Sequence, residues 1–247
     1  MNFWGSIRGK RSHCVIFLGF FSHKRAFLQS GGSITRHYPI LTDYDDAAGT
    51  AKGHYFHQDL LVAGFIHKAN PKRNIDIGSR IDGFVAHVAS WREIEVMDIR
   101  PLQGGAHGNI KFIQNDLMSD VGETEITDSI SCLHAIEHFG LGRYGDPVDS
   151  NGHIRGFNNI LKMLKKSELL YISFPIGTAN EVHFNAHRIF KADDIFSWAD
   201  LGVELELARF DFVDDAGDLH LDQPVSRALT NVAHGCGIYT FKKLPVQ

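Results

Sequence analysis

Ten residues constrain this chain more than any other stretch: Asn74-Ile-Asp-Ile-Gly-Ser-Arg-Ile-Asp-Gly83. A short strand, Asn74 to Ile77, runs into a glycine turn, and a helix opens near Asp82. Gly78 allows the backbone to turn tightly and to approach a ligand closely. The free amides at the start of the helix are donors for a polar or anionic group. Gly83 is expected to let helix and strand pack closely.

The pattern around this segment alternates. Residues 58–68 read as a helix stopped by Asn70-Pro71. Ile81, Phe84, Val85, Val88 and Trp91 have helical spacing. Residues 94–99, 110–115 and 129–133 read as strands, the last apolar enough to be covered on both faces. Ile154, Phe157, Ile160, Leu161 and Leu164 mark an amphipathic helix, and residues 169–174 a fifth strand ended by Pro175. Residues 203–213 and 238–241 read as two closing strands with a polar loop between them. Such alternation predicts an α/β fold, a Rossmann-like three-layer sandwich. Its seven-stranded sheet is mainly parallel, with the last strand antiparallel at the edge. Residues 1–56 are an N-terminal extension without assigned structure, and residues 57–247 form the domain.

Acids close the first three strands. Asp98 ends the second, 20 residues beyond Gly78, where an acid reaches the ribose hydroxyls of a nucleoside. Asn115-Asp116-Leu117 ends the third: Asp116 can accept the exocyclic amine of adenine while Leu117 covers a ring face. Ligands of open parallel sheets sit at these carboxyl ends, so Asp76, Gly78, Asp98 and Asp116 converge on one place. Each taken singly also suits a turn or a helix cap.

Composition narrows the partners. The net charge of −4 argues against nucleic acid. Cys14, Cys132 and Cys236 form no CxxC pair, so neither a zinc knuckle nor a disulfide framework is indicated, which suits a cytoplasmic protein. No metal site is expected. Arg8, Lys10 and Arg11 before the apolar residues 14–21 have the outline of a signal peptide. Ser22-His-Lys-Arg25 follows in place of a small-residue cleavage site, and the run is far short of the roughly 20 residues that span a bilayer. A buried strand or a loosely attached segment is expected there, without stable membrane insertion.

The order of motifs resembles that of class I S-adenosylmethionine-dependent methyltransferases over about residues 72–200. A closer resemblance is to a methyltransferase-like family known only as a domain of unknown function, often found near surface-polysaccharide genes. It rests on Asp76-Ile-Gly-Ser79, Asp98-Ile-Arg-Pro101, Glu137-His138 with Gly140-Leu-Gly-Arg-Tyr-Gly-Asp-Pro147, and Phe184-Asn-Ala-His-Arg188. The first glycine loop departs from the methyltransferase pattern, with Arg80 and Asp82 where glycine is usual. The resemblance implies S-adenosylmethionine as cofactor, bound by Asp76, Gly78, Ser79, Gly83, Asp98, Ile99, Asp116 and Leu117.

The same resemblance places a reaction centre in Cys132-Leu-His-Ala-Ile-Glu-His138. Methyl transfer to oxygen or nitrogen needs a proton removed, so a base beside the cofactor helps. His138 is the first choice, His134 the reserve and Glu137 their partner; an imidazole titrates near neutral pH. Arg143, Tyr144 and Asp146 from one loop, and Asn185, His187 and Arg188 from another, are expected to face a small polar acceptor such as a glycan precursor. Arg143 can bind a phosphate or carboxylate bidentately. Three other readings stay open: an H-x-x-E-H zinc hydrolase, a nicotinamide enzyme lacking the full G-x-G-x-x-G, and a non-catalytic scaffold.

Overall fold

The computed structural model describes residues 13–105, 107–199 and 203–245. Two compact units divide the chain, Met1–Thr50 and Ala51–Gln247. In the first, helix α1 (His13–Gln29) is followed by a single helical turn, Asp43–Asp45. Residues 14–21 are therefore not a buried strand: Phe17, Leu18 and Phe21 are about half exposed or more. Arg8, Lys10 and Arg11 lie outside the described residues. No helix among the described residues is long and apolar enough to cross a membrane.

The second unit opens with α2 (His54–Ala69), three residues earlier than the boundary drawn from sequence. Its inward stripe, Gln58, Asp59, Val62, Ala63 and Ile66, follows the helical period. It ends where Asn70 turns left-handed and returns its amide to the Ile66 carbonyl. Strand β1 (Asn74–Ile77) leads into a wide turn, Ile81–Val85, that continues as α3 (Ala86–Ala89). Strands β2 (Ile94–Asp98), β3 (Ile110–Gln114) and β4 (Thr127–Leu133) follow, then α4 (Gly152–Met163) and β5 (Leu164–Gly177). A hairpin, β6 (Glu181–His183) with β7 (His187–Ile189), stands apart from the main sheet. Strand β8 (Leu205–Val213), the two-residue β9 (Leu219–His220), α5 (Val225–Asn231) and β10 (His234–Lys243) close the chain.

The main sheet has the order β3-β2-β1-β4-β5-β10-β8-β9, eight strands where seven were expected. Strands β1 to β5 are parallel. The antiparallel β10 does not sit at the edge; it inserts between β5 and β8 and pairs with both. The connection preceding it is not a bare loop, because β9 and α5 lie within it. Two apolar layers cover the faces. Phe157, Ile160 and Leu161 of α4 pack on Ile75, Ile77, Ile130 and Ile172, and Val62 and Ile66 of α2 pack with Phe84 and Val88 on Val96 and Ile238.

Strand β5 runs through Pro175 instead of ending before it. Ser173 and Gly177, of the same parity, bond to His134 and Phe190 on the β4 side. The nitrogen of Pro175 thus faces the side where β4 has already ended, and no ladder acceptor is left unmet.

Phe157 is fully buried, edge-on to Trp198 with ring centroids 5.6 Å apart. Phe157→Ala is expected to cost about 3–5 kcal/mol, read as a lower urea midpoint at unchanged slope.

Candidate functional site

The chain leaves β1 for β2 and β3 on one side and returns to β4 and β5 on the other. The carboxyl ends of β1 and β4 therefore border a switch point, where open α/β sheets bind ligands. A cavity of about 580 Å³ lies there, within the size range of small-molecule sites. Gly78, Ser79, Gly83, Asp98, Ile99, Asp116 and Leu117 line it, together with His134, Glu137, His138, Arg143, Tyr144, Asp146 and His187. Asp76, Asn185 and Arg188 do not.

Asp76 corrects its expected role. It is completely buried beneath the cavity, accepting hydrogen bonds from the Ser79 amide (3.1 Å), the Ser79 hydroxyl (2.9 Å) and the Ser131 hydroxyl (2.8 Å). Burial raises its pKa to about 7, against the lowering effect of the two serines. Gly78 has φ +72°, and a Cβ there would lie 2.9 Å from the Ala135 Cβ, so a side chain is strained and crowded at this turn. Gly83 serves a different neighbour from the one expected: a Cβ there would press on the Asp59 carboxylate of α2, 3.1 Å away, and not on a strand.

Asp98 projects into the cavity but is engaged. The Arg100 guanidinium binds both its oxygens, the Arg100 amide adds a bond of 2.8 Å, and one guanidinium nitrogen reaches the Gly78 carbonyl at 3.4 Å. The same guanidinium lies 4.5 Å from the centre of the Tyr144 ring. Arg100 thus bridges Asp98 and the loop across the cavity. Asp116 accepts from the Met118 amide (2.9 Å) and the Ser119 hydroxyl (3.2 Å), which fixes its carboxylate at the rim. Leu117, nearly buried, presents an apolar wall.

The other half of the cavity is built by a strained turn. His134 sits at φ +49°, uncommon for a residue with a side chain, and its Nδ1 is 2.9 Å from Glu137 Oε1. The same oxygen lies 3.8 Å from His138 Nε2. His138 Nδ1 donates to the Ala186 carbonyl at 2.7 Å, which leaves Nε2 as the lone-pair nitrogen of the neutral ring. Burial lowers the pKa of His138, partly offset by Glu137. For His134, burial acts in the same direction, but Cys236 and Glu137 beside it outweigh burial and raise the pKa well above the usual value. Glu137 Oε2, His134 Nε2 and His187 Nε2 are buried without hydrogen-bond partners.

Two side chains expected to bind an acceptor instead hold the loops. Arg188, buried, donates to the carbonyls of Phe139 (2.6 Å), Ser150 (3.2 Å), Glu137 (3.3 Å) and Asp149 (3.4 Å). Asp146 gathers the amides of Gly140, Gly142 and Tyr144. Asn185 is exposed on the hairpin, away from the cavity. Arg143 and Tyr144 do face it; Arg143 donates to the Ala186 carbonyl at 2.8 Å, and Tyr144 meets His138 edge-on at 5.4 Å.

Sequence reading missed Arg100, His54, Tyr55, Asp59 and His234, all of which line the cavity. Asp59 carried a signal, as an acid on the apolar face of α2. His54 and Tyr55 fell outside the domain boundary drawn at residue 57. The rings of His54 and His134 stack with centroids 5.5 Å apart. The H-x-x-E-H reading fails on geometry: only Ile136–His138 is helical, and His134 precedes that turn in a left-handed conformation. Among the described residues, no three His, Cys, Asp or Glu side chains are grouped as metal ligands.

The sheet order, the antiparallel insertion of β10 and the cavity at the switch point decide the architecture. The chain has the Rossmann-like fold of methyltransferases. Its structure matches the [4+2]-cyclase SpnF with a TM-score of 0.54 at 14% identity, covering 96% of this chain and 97% of that one. It matches the 1,6-didemethyltoxoflavin-N1-methyltransferase of Burkholderia thailandensis, solved with 1,6-didemethyltoxoflavin and S-adenosylhomocysteine, at 0.53 and 11% identity over 98% and 94% of the two chains. The N-methyltransferase NodS of Bradyrhizobium japonicum, solved with S-adenosylhomocysteine, matches at 0.50 and 11% identity over 77% and 88%. Identities this low establish the fold and not the chemistry, and a cyclase shares it. A family model described as Caenorhabditis protein of unknown function, DUF268, matches residues 111–195, which include the Gly140–Pro147 and Phe184–Arg188 motifs. No curated protein matches the chain.

Burial first, then His134 and His234, lower the pKa of His54 from 6.5 to about 4. A histidine held neutral in this way contributes stability that is full above pH 6.5 and is lost as pH falls toward 4. His54→Phe keeps an aromatic ring and removes the titration. The fall in urea midpoint between about pH 7 and about pH 5 is therefore expected to be smaller in the variant than in the natural protein.

Proposed function

We propose that this chain is an S-adenosylmethionine-dependent methyltransferase acting on an oxygen or nitrogen of a small polar acceptor, such as a saccharide or glycan precursor. The observation that carries the reading is the meeting of Gly78, Asp98 and Asp116, from three adjacent parallel strands, in one cavity that also holds the neutral imidazole of His138. The cavity suits the cofactor. Gly78 leaves a side-chain-free turn, Asp98 offers oxygens for ribose hydroxyls, Asp116 an acceptor for an amine, and Leu117 an apolar wall. When bound, the cofactor supplies an electrophilic methyl group on a sulfonium.

The chain's own residues divide the remaining work. His138 Nε2 takes the proton of the acceptor O–H or N–H, while the Ala186 carbonyl holds the ring in the tautomer this needs. Glu137, with one buried oxygen unpartnered, lies beside the same imidazole and lines the cavity. Arg143 and Tyr144 line the approach, and Arg188 and Asp146 keep the surrounding loops in place. A ribose held by Asp98 would share that carboxylate with Arg100. One observation favours a second reading, a non-catalytic scaffold: Arg100 already occupies the carboxylate that a nucleoside needs.

Calorimetry with S-adenosylhomocysteine tests the reading. Asp98→Ala is expected to weaken binding by roughly 1–3 kcal/mol, the worth of charged hydrogen bonds. Absence of binding by the natural protein and by Arg100→Ala alike removes the cofactor assignment. Binding restored only in Arg100→Ala favours the scaffold. With a methyl acceptor in hand, His138→Ala is expected to leave S-adenosylhomocysteine affinity unchanged and to slow transfer about 10²-fold or more. An unaltered rate removes His138 as the base.

A further inference from the structure

The charge of this chain is divided unevenly along its length. The first 42 residues hold six Lys and Arg and no Asp or Glu, whereas the other 205 hold 19 against 29. A net −4 protein therefore carries a segment of +6 attached to a remainder of −10. The segment contains α1, whose sides differ sharply. Gly19 and His23, four residues apart, share one side and meet Tyr44: the Tyr44 hydroxyl bonds His23 Nδ1 at 2.5 Å, and the two rings stack. At about 100° per residue, Phe17, Phe21 and Leu28 fall on the opposite side, with Lys24 and Arg25 flanking them and Leu18 beyond Arg25. Phe17, Leu18, Phe21 and Leu28 are 50%, 64%, 49% and 46% exposed. A shallow groove runs between Phe21, Lys24, Arg25 and Leu28.

We propose that this side of α1 docks on an anionic phospholipid surface, with the helix in the plane of the interface. Large apolar side chains provide insertion below the headgroups, and the cationic heads of Lys24 and Arg25 reach the phosphates from stems lying along the apolar surface. Helix α1 itself holds no acid, and Asp43, Asp45 and Asp46 follow in the turn whose Tyr44 packs on its other side. A nucleic acid would use the charges but leave the phenylalanines without a role. A second copy of the helix would bury the phenylalanines but set basic side chains against each other. An anionic lipid surface uses both. This assignment is independent of the chemistry in the cavity of the second unit.

Co-sedimentation of the full chain with vesicles tests it. Vesicles of phosphatidylcholine with phosphatidylserine are expected to bind at least about tenfold more protein than phosphatidylcholine alone, since each basic residue near such a surface adds a substantial electrostatic gain. Raising salt from about 0.1 to about 1 M, which shortens the screening length from about 10 to about 3 Å, should remove most of that difference. Lys24→Glu with Arg25→Glu should abolish the preference for phosphatidylserine. Phe17→Ser with Phe21→Ser should lower binding to both vesicles. Urea midpoints equal to the natural protein's confirm that both variants keep the second unit folded. Failure to sediment with either vesicle, or binding unchanged in both variants, overturns the proposal. So does self-association through Phe21 seen by light scattering, or tighter binding to an RNA oligonucleotide than to vesicles.

Discussion

A carboxylate with no solvent contact stands at the centre of this structure. Asp76 lies where β1 and β4 separate, and its two oxygens are shared among the Ser79 amide, the Ser79 hydroxyl and the Ser131 hydroxyl. An unpartnered carboxyl in this position would be expensive to bury. With three donors it becomes a clamp, joining the end of one parallel strand, the turn after it and the strand across the switch point. The position of Gly78 follows from that clamp, and so does its close approach to Ala135 in the turn after β4. The acid expected to touch a ligand instead shapes the floor beneath it.

The opposite wall relies on the same device with the charge reversed. Arg188 is buried among four backbone carbonyls drawn from the Glu137–Phe139 turn and the Asp149–Ser150 end of the following loop. Asp146 does the converse for three amides of that loop. At Gly140 the chain has φ +78°, and a Cβ would collide with the Asp149 carbonyl, so only glycine permits the closure. The motif residues in this region thus serve mainly to hold a wall rigid, leaving Arg143, Tyr144, His138 and His187 to face the cavity. Rigid support behind a few facing groups is what holds a cavity's lining in one geometry.

Strand and helix periodicity made the alternation from β1 to β5 legible, because both faces of a parallel sheet are apolar and its strands are short. The place of β10 was not legible. Its sequence reads as a strand either at the edge or inside the sheet, and only its nine-residue pairing with β5 and its pairing with β8 distinguish the two. For the site, acids at successive strand ends located the cavity correctly, but side-chain direction separated their roles. Asp76 lies one residue before its strand's last and is engaged beneath the turn by Ser79 and Ser131, whereas Asp98 is the last of its strand and lines the opening. Long-range partners explain the other misses. Arg188 meets carbonyls some 40 to 50 positions away, and His54 stacks on His134, 80 positions away. No local spacing encodes such contacts.

Glu137 links the remaining chemistry. A single oxygen lies 2.9 Å from His134 and 3.8 Å from His138, so the two rings compete for one carboxylate. His134 wins the shorter contact and its pKa is raised, while His138 is driven down by burial and meets a carbonyl on its other nitrogen. The free nitrogen of His138 belongs to the cavity that Tyr144 and His187 also line. The motif that resembles a metal-binding pair is therefore a carboxylate set between two histidines, close to one and farther from the other.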